Sequence, residues 1–223
     1  VIYLDETSLV KTIDNINNSM FFKVPIPKNE KESVAAWIVS RLGQKGSYGG
    51  LFAPTVSDLR DPIRIFTGEV ITSNASRSHI MGEEAMRVLK KLQIKSPEAT
   101  LALEKSKDIM ETILRREKSG MFCCGNCSVA YWRSLNSGCL DYSEERLSNG
   151  LKILKSLRDG KGRWRRFPFY YTLLALSEID LPGVKEEFQY ASQSMERTLN
   201  KTSKADPFAS RRKHLVEGIL STL

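Results

Sequence analysis

The sequence predicts an all-α protein. Apolar residues recur at helical intervals in one segment after another, and these segments open on capping residues or prolines. Alternation of apolar and polar residues is scarce. In order along the chain, "NEKESVAAWIVSRLG" sets Asn29 and Glu32 at capping-box spacing, carries Val34, Trp37, Ile38 and Leu42 on one face, and has Gly43 where a left-handed stop belongs. "SRSHIMGEEAMRVLKKLQ" places Ile80, Met81, Ala85, Val88, Leu89 and Leu92 on a broad stripe, with acids early and lysines late as the helix dipole prefers. "SPEATLALEKSKDIMETILRRE" opens with Ser96 as cap and Pro97 at the first helical position. "NCSVAYWRSLN" predicts a short helix and "YSEERLSNGLKILKSLRD" a longer one, with Leu147, Leu151, Leu154 and Leu157 facing inward. Pro168 and Pro182 each open a further helix, and "DPFASRRKHLVEGILSTL" supplies the last. "RDPIRIFTGEVIT" is the one extended stretch, expected as part of a loop-rich insertion at about 53–76.

A chain of 223 residues with 41% hydrophobic content buries a real core and is expected to form a single α-helical domain over 1–223. No apolar run approaches the roughly 18–20 residues that a membrane span needs. The opening "VIYLDETSLVKTIDNINNS" lacks the basic start and long apolar centre of a secretory leader, so a cytoplasmic location is expected. Lys and Arg outnumber Asp and Glu by 34 to 26, and the resulting net charge of +8 favours anionic partners through long-range attraction.

A degenerate repeat runs through the chain. Leu114 aligned with Leu157 sets "LRREKSGMFCCGNCSVAYW" over "LRDGKGRWRRFPFYYTLLAL", and "WIVSRLGQKGSYGGLFAPT" offers a third copy upstream. Each copy has an apolar helix end, a charged turn, a glycine (Gly46, Gly120, Gly162), and an aromatic two residues later (Tyr48, Phe122, Trp164). Glycine permits the tight turn and the aromatic staples neighbouring helix ends. "QKGSY" at 44–48 and "DGKGRW" at 159–164 resemble the turn repeats of the terpenoid cyclase and protein prenyltransferase superfamily. That resemblance implies helical hairpin repeats forming an α/α toroid, or an open arc of one, around an apolar cavity. It does not extend to the chemistry. The D-x-D-D acid cluster of the triterpene cyclases is missing, and the Asp-x-Cys pair of the prenyltransferases has only Cys139-Leu140-Asp141, reversed, with His214 far downstream.

Four features carry candidate chemistry. "FCCGNCS" brings Cys123, Cys124 and Cys127 together in sequence, with Cys139 further on, a set able to hold a structural zinc, although inert buried thiols are the favoured reading and redox or disulfide chemistry a further alternative. His79 and Glu83, four apart, share a helix face, either as a base beside a carboxylate or as an ordinary histidine near a helix start. "KSLRDGKGRWRR" at 155–166 sets Lys155, Arg158, Lys161, Arg163, Arg165 and Arg166 against Asp159 alone, which suits phosphate oxygens or a solvated hairpin tip. Tyr131, Trp132, Tyr170 and Tyr171 are the expected wall of the cavity, with Arg163, Arg165 and Arg166 at its rim. The expected function is binding of a small apolar or amphipathic ligand, isoprenoid-like and able to carry an anionic phosphate, in a central aromatic-lined cavity. Whether a reaction follows is left open. An anion- or nucleic-acid-binding module using 155–166, and a catalytically silent scaffold, are the alternatives; the lack of a zinc-finger or RNP motif speaks against nucleic acid.

Overall fold

The computed structural model describes residues 2–115, 117–199 and 206–223. Among these residues the chain forms ten α-helices and a single two-stranded ribbon, which is the all-α class expected. Strands β1 (Ile63–Arg64) and β2 (Val70–Ile71) pair antiparallel.

The first helix, α1 (Leu9–Phe21), lies in a segment that the sequence had suggested only as a chain start. Ser8 caps it, accepting from the Lys11 N–H at 3.1 Å, and Leu9, Ile13 and Ile16 form its buried stripe. The second, α2 (Lys28–Ser40), begins two residues before the expected capping box, and no side chain caps it. The Pro27 carbonyl already accepts from the Lys31 N–H at 3.0 Å, so the proline defines the start and Asn29 falls inside the helix. Helix α5 (Pro97–Ile113) begins as expected, with Ser96 accepting from the Ala99 N–H at 3.1 Å.

The 53–76 insertion is more ordered than a loop. It holds α3 (Val56–Arg60) with a capping box between Thr55 and Asp58, followed by the ribbon. The buried Asp58 carboxylate also accepts from the Ser8 hydroxyl at 2.5 Å and the Leu9 N–H at 2.8 Å. One side chain thus serves the starts of two helices, satisfying N–H groups that α1 would otherwise leave open.

Helices α4 (Asn74–Leu92), α6 (Gly125–Asn136), α8 (Phe169–Glu178) and α10 (Ala209–Leu220) touch in succession, with α2 against α4 at the other end. Helices α5, α7 (Ser143–Ser156) and α9 (Val184–Leu199) pair with them as hairpin partners, and α1 packs on α4. The centre of this arrangement is filled. Glu84 of α4 receives bonds from Arg133 of α6, from Arg87 at 3.0 Å and from the Tyr171 hydroxyl of α8 at 2.5 Å. Arg133 grips Glu178 with two further bonds of 2.9 and 2.8 Å. The gap beside these groups has a volume of about 10 Å³, at most the space of one water.

Two of the three glycine-aromatic corners share a conformation. Gly46 and Gly162 have φ of +93° and +82°, and antiparallel bridges pair Leu42 with Phe52 and Arg158 with Trp164 beside them. The middle corner differs. Gly120 is needed for space, because a Cβ there would meet the Gly150 backbone nitrogen at 1.9 Å. This close approach seats the 117–124 loop on α7.

Candidate metal centre

His79 lies one and a half turns into α4, too deep for a residue of the helix start, and is 1% exposed. Cys124 is the N-cap of α6 with its side chain uninvolved in capping, so Cys123 precedes the helix and Cys127 projects from its first turn. The packing of α6 on α4 brings these two stretches together. The His79 Nδ1 lies 3.8 Å from the Cys123 Sγ across 44 residues of sequence. With Cys127 added, the three donor atoms all lie within 4.8 Å of one another. His79 and Cys127 are buried while Cys123 is exposed, so the cluster opens to solvent on one side.

The surroundings of His79 are specialised. Tyr48 stacks on the imidazole with ring centroids 4.4 Å apart, and Phe122 lies against it at 4.0 Å. Both are corner aromatics of the sequence repeat, whereas Trp164 packs against Phe169 and Tyr190 and donates to Glu187 at 2.8 Å. On the far side, Glu83 Oε1 lies 3.5 Å from His79 Nε2. Neither oxygen of Glu83 has a hydrogen-bond partner among the described residues, and neither does His79 Nε2. Burial pushes the Glu83 carboxyl up, with His79 partly offsetting it. Burial also raises the Cys127 and Cys123 thiols and the Tyr48 phenol. Unsatisfied buried polar atoms are rare in folded proteins and call for an ion or a water. Here they accompany a soft donor set of two sulfurs and an imidazole.

Of the four cysteines named from the sequence, Cys123 and Cys127 meet in the cluster and Cys124 is adjacent in the chain. Cys139 is elsewhere, with its thiol 3.9 Å from the Met86 carbonyl, and burial pushes it up to about 11. The reason is length: the helix between Cys127 and Asn136 spans roughly 14 Å at 1.5 Å per residue, which puts Cys139 past its other end. His79 takes the place that Cys139 was expected to fill. All four cysteines are free thiols.

The expected cavity wall is core instead. Tyr131 is fully buried and donates to the Ser119 carbonyl at 3.3 Å. Trp132 donates to the Gly120 carbonyl at 2.6 Å and stacks on Phe167 with centroids 5.3 Å apart. Tyr171 belongs to the Glu84 network, and Tyr170, half-buried, lies under the Arg212 guanidinium at 4.7 Å. These rings fill space that a hollow centre would have left open.

The basic run divides into two parts. Lys155 pairs with Glu186 at 2.7 Å and Arg158 with Glu187 at 2.8 Å, so α9 takes up its first half. Arg163 lies over the Phe169 ring at 4.4 Å, while Arg165 and Arg166 are exposed and make no ion pair or side-chain hydrogen bond among the described residues.

Comparison with known proteins finds no relative. No family model matches the chain, no curated protein matches it, and no solved structure matches it. Among the described residues no helix is long and apolar enough to cross a membrane.

Proposed function

We propose that this is a metal-binding helical protein whose centre takes zinc through His79, Cys123 and Cys127. The observation that carries the reading is the convergence of three donor atoms within 4.8 Å from two segments far apart in sequence. Zinc bound at about 2.3 Å to sulfur and about 2.0 Å to nitrogen sets its tetrahedral ligands some 3.5–3.8 Å apart, so the 3.8 Å between Cys123 and His79 already fits. Thiolates and imidazole are ligands that zinc favours over the harder cations. Glu83 supports the reading, since a metal-ligating histidine commonly donates its other ring N–H to a carboxylate, and Glu83 stands at that nitrogen. The start of α6 adds to it, because the positive end of a helix stabilises thiolates.

Elemental analysis of the full chain purified without a polyhistidine tag tests the proposal, with cobalt substitution as a spectroscopic check. One zinc per chain is expected, lost in Cys127→Ser and His79→Ala and retained in Cys139→Ser. A metal-free wild-type protein after incubation with zinc would overturn it, as would equal losses in Cys127→Ser and Cys139→Ser.

The exposure of Cys123 favours one second reading. A thiol beside an imidazole that is backed by a carboxylate is also the arrangement of a cysteine nucleophile. Alkylation by iodoacetamide separates the two: rapid modification of Cys123 alone, dependent on His79 and unaffected by zinc, would favour the nucleophile over the metal.

A further inference from the structure

We infer that Cys124 is the fourth ligand of the proposed centre, so that a zinc held by three thiolates and one imidazole is a closed structural clamp between α4 and the start of α6. The inference rests on the metal reading above. It fills the one position that His79, Cys123 and Cys127 leave on a tetrahedral ion.

The placement of Cys124 follows from the helix it caps. It is the N-cap of α6, and Cys127 is the third residue of that helix. These are the two positions whose side chains turn toward each other in a capping box. The Cys124 side chain makes no capping bond, so the helix start leaves its thiol available. That thiol interacts with both of the other sulfurs: after burial it is the leading influence that raises Cys127, and it acts on Cys123 as well. Three sulfurs therefore gather at one end of α6, and Cys124 and Cys127 have the two-residue gap common among zinc ligands.

The backbone that carries the adjacent pair is already fixed. The buried Ser128 hydroxyl accepts from the Phe122 N–H at 2.9 Å and donates to the Cys124 carbonyl at 2.7 Å. One side chain thus ties both ends of the 122–124 segment to the first turn of α6, the preorganisation that a metal site needs. Cys124 is not among the donors that already lie within 4.8 Å of one another. A change of staggered rotamer moves a cysteine sulfur by about 3 Å with the backbone in place, and no capping bond opposes it. The other candidates for the fourth position stand elsewhere. Glu83 lies at the opposite nitrogen of His79, and the Cys139 thiol sits beside the Met86 carbonyl.

The test uses the full chain loaded with cobalt, whose sulfur-to-metal charge-transfer absorption grows with the number of thiolates bound. In Cys124→Ser the absorption per bound cobalt should fall by about a third, as three thiolates become two. Zinc affinity should fall more than about 100-fold, beyond the cost of losing an outer-shell partner. Cys139→Ser should match the wild type in both. Unchanged absorption or unchanged affinity in Cys124→Ser would overturn the inference and leave a three-ligand metal. If far-UV circular dichroism shows that the variant does not fold, the wild-type chain decides. Zinc should slow alkylation of Cys124 by iodoacetamide about tenfold or more, along with that of Cys123 and Cys127, as read by mass spectrometry. Cys124 alkylated at the same rate with zinc and after its removal by a chelator would equally overturn the inference. A wild-type chain that takes up no cobalt fails in a different way, through its metal content, and removes the metal reading itself.

Discussion

Glu83 is a carboxylate enclosed by protein with an imidazole as its nearest charge partner. If its role is to orient His79, Glu83→Gln should weaken zinc binding by about 10- to 100-fold while keeping the same ligands, as loss of an outer-shell partner typically does. Competition with a chromophoric chelator measures this, and unchanged affinity would leave Glu83 without that role. Part of the site is legible in the residues alone. Cys124-x-x-Cys127 and the His79–Glu83 spacing both stand out in the sequence, because each is local and helix periodicity brings its members onto one face. Their meeting is not legible, since one sequence carries no distance between positions 79 and 123. For the same reason Cys139 and His79 exchange places: counting residues from Cys127 to Cys139 says nothing of the rigid helix between them.

Among elements, a tight constraint second only to that at Gly120 lies where α6 begins. A methyl group at Gly125 would press on the Arg166 carbonyl, which is backbone and has no rotamer to yield. Gly125→Ala should therefore cost about 1–3 kcal/mol of stability and, by displacing the first turn, weaken metal uptake as well. Gly218 in α10 is the control, since an added Cβ meets nothing within 4 Å. Gly218→Ala should stabilise the protein by about 0.5–1 kcal/mol through helix propensity alone. Urea unfolding of the two variants checks both signs. Most helices were legible because their caps and apolar stripes are local signals, as with Ser96 and Pro97 of α5. The exceptions have physical causes. Helix α1 carries its stripe at Leu9, Ile13 and Ile16, but part of its capping comes from Asp58, 50 residues from Ser8. Helix α2 starts early because Pro27 competes with Asn29 for the cap and wins.

Across the whole molecule, α4, α6 and α8 are joined by a buried charge network set within their shared apolar core. Burial alone would raise the Glu84 carboxyl, but Arg133 and Arg87 outweigh it and hold it down at about 2. A carboxylate depressed in the folded state contributes stability that is fully present above its unfolded value of about 4.5 and is lost as the pH falls toward 2. That contribution is on the order of 3 kcal/mol, and Glu178, also held low by Arg133, adds in the same direction. Stability measured by denaturant should fall steeply as the pH drops from about 5 toward 2, and Glu84→Gln should flatten that slope. A profile independent of pH between 5 and 2 would show that the network does not hold the three helices. The helical class and the succession of hairpins were readable from periodicity and from the recurring glycine-aromatic corners. The filled centre was not, because Tyr131, Trp132 and Tyr171 have the composition of a pocket wall and of a packed core alike, and only their partners tell the two apart.

The stacking of Trp132 on Phe167 gives this chain a natural optical probe. The indole belongs to the same helix as Cys127 and its N–H is tied to the loop that delivers Cys123, while its ring rests against the turn carrying Arg166. Any change that tightens or loosens those three pieces should alter the surroundings of this deeply enclosed indole, so in a Trp37→Phe, Trp164→Phe background its emission should report occupancy of the proposed site without a label.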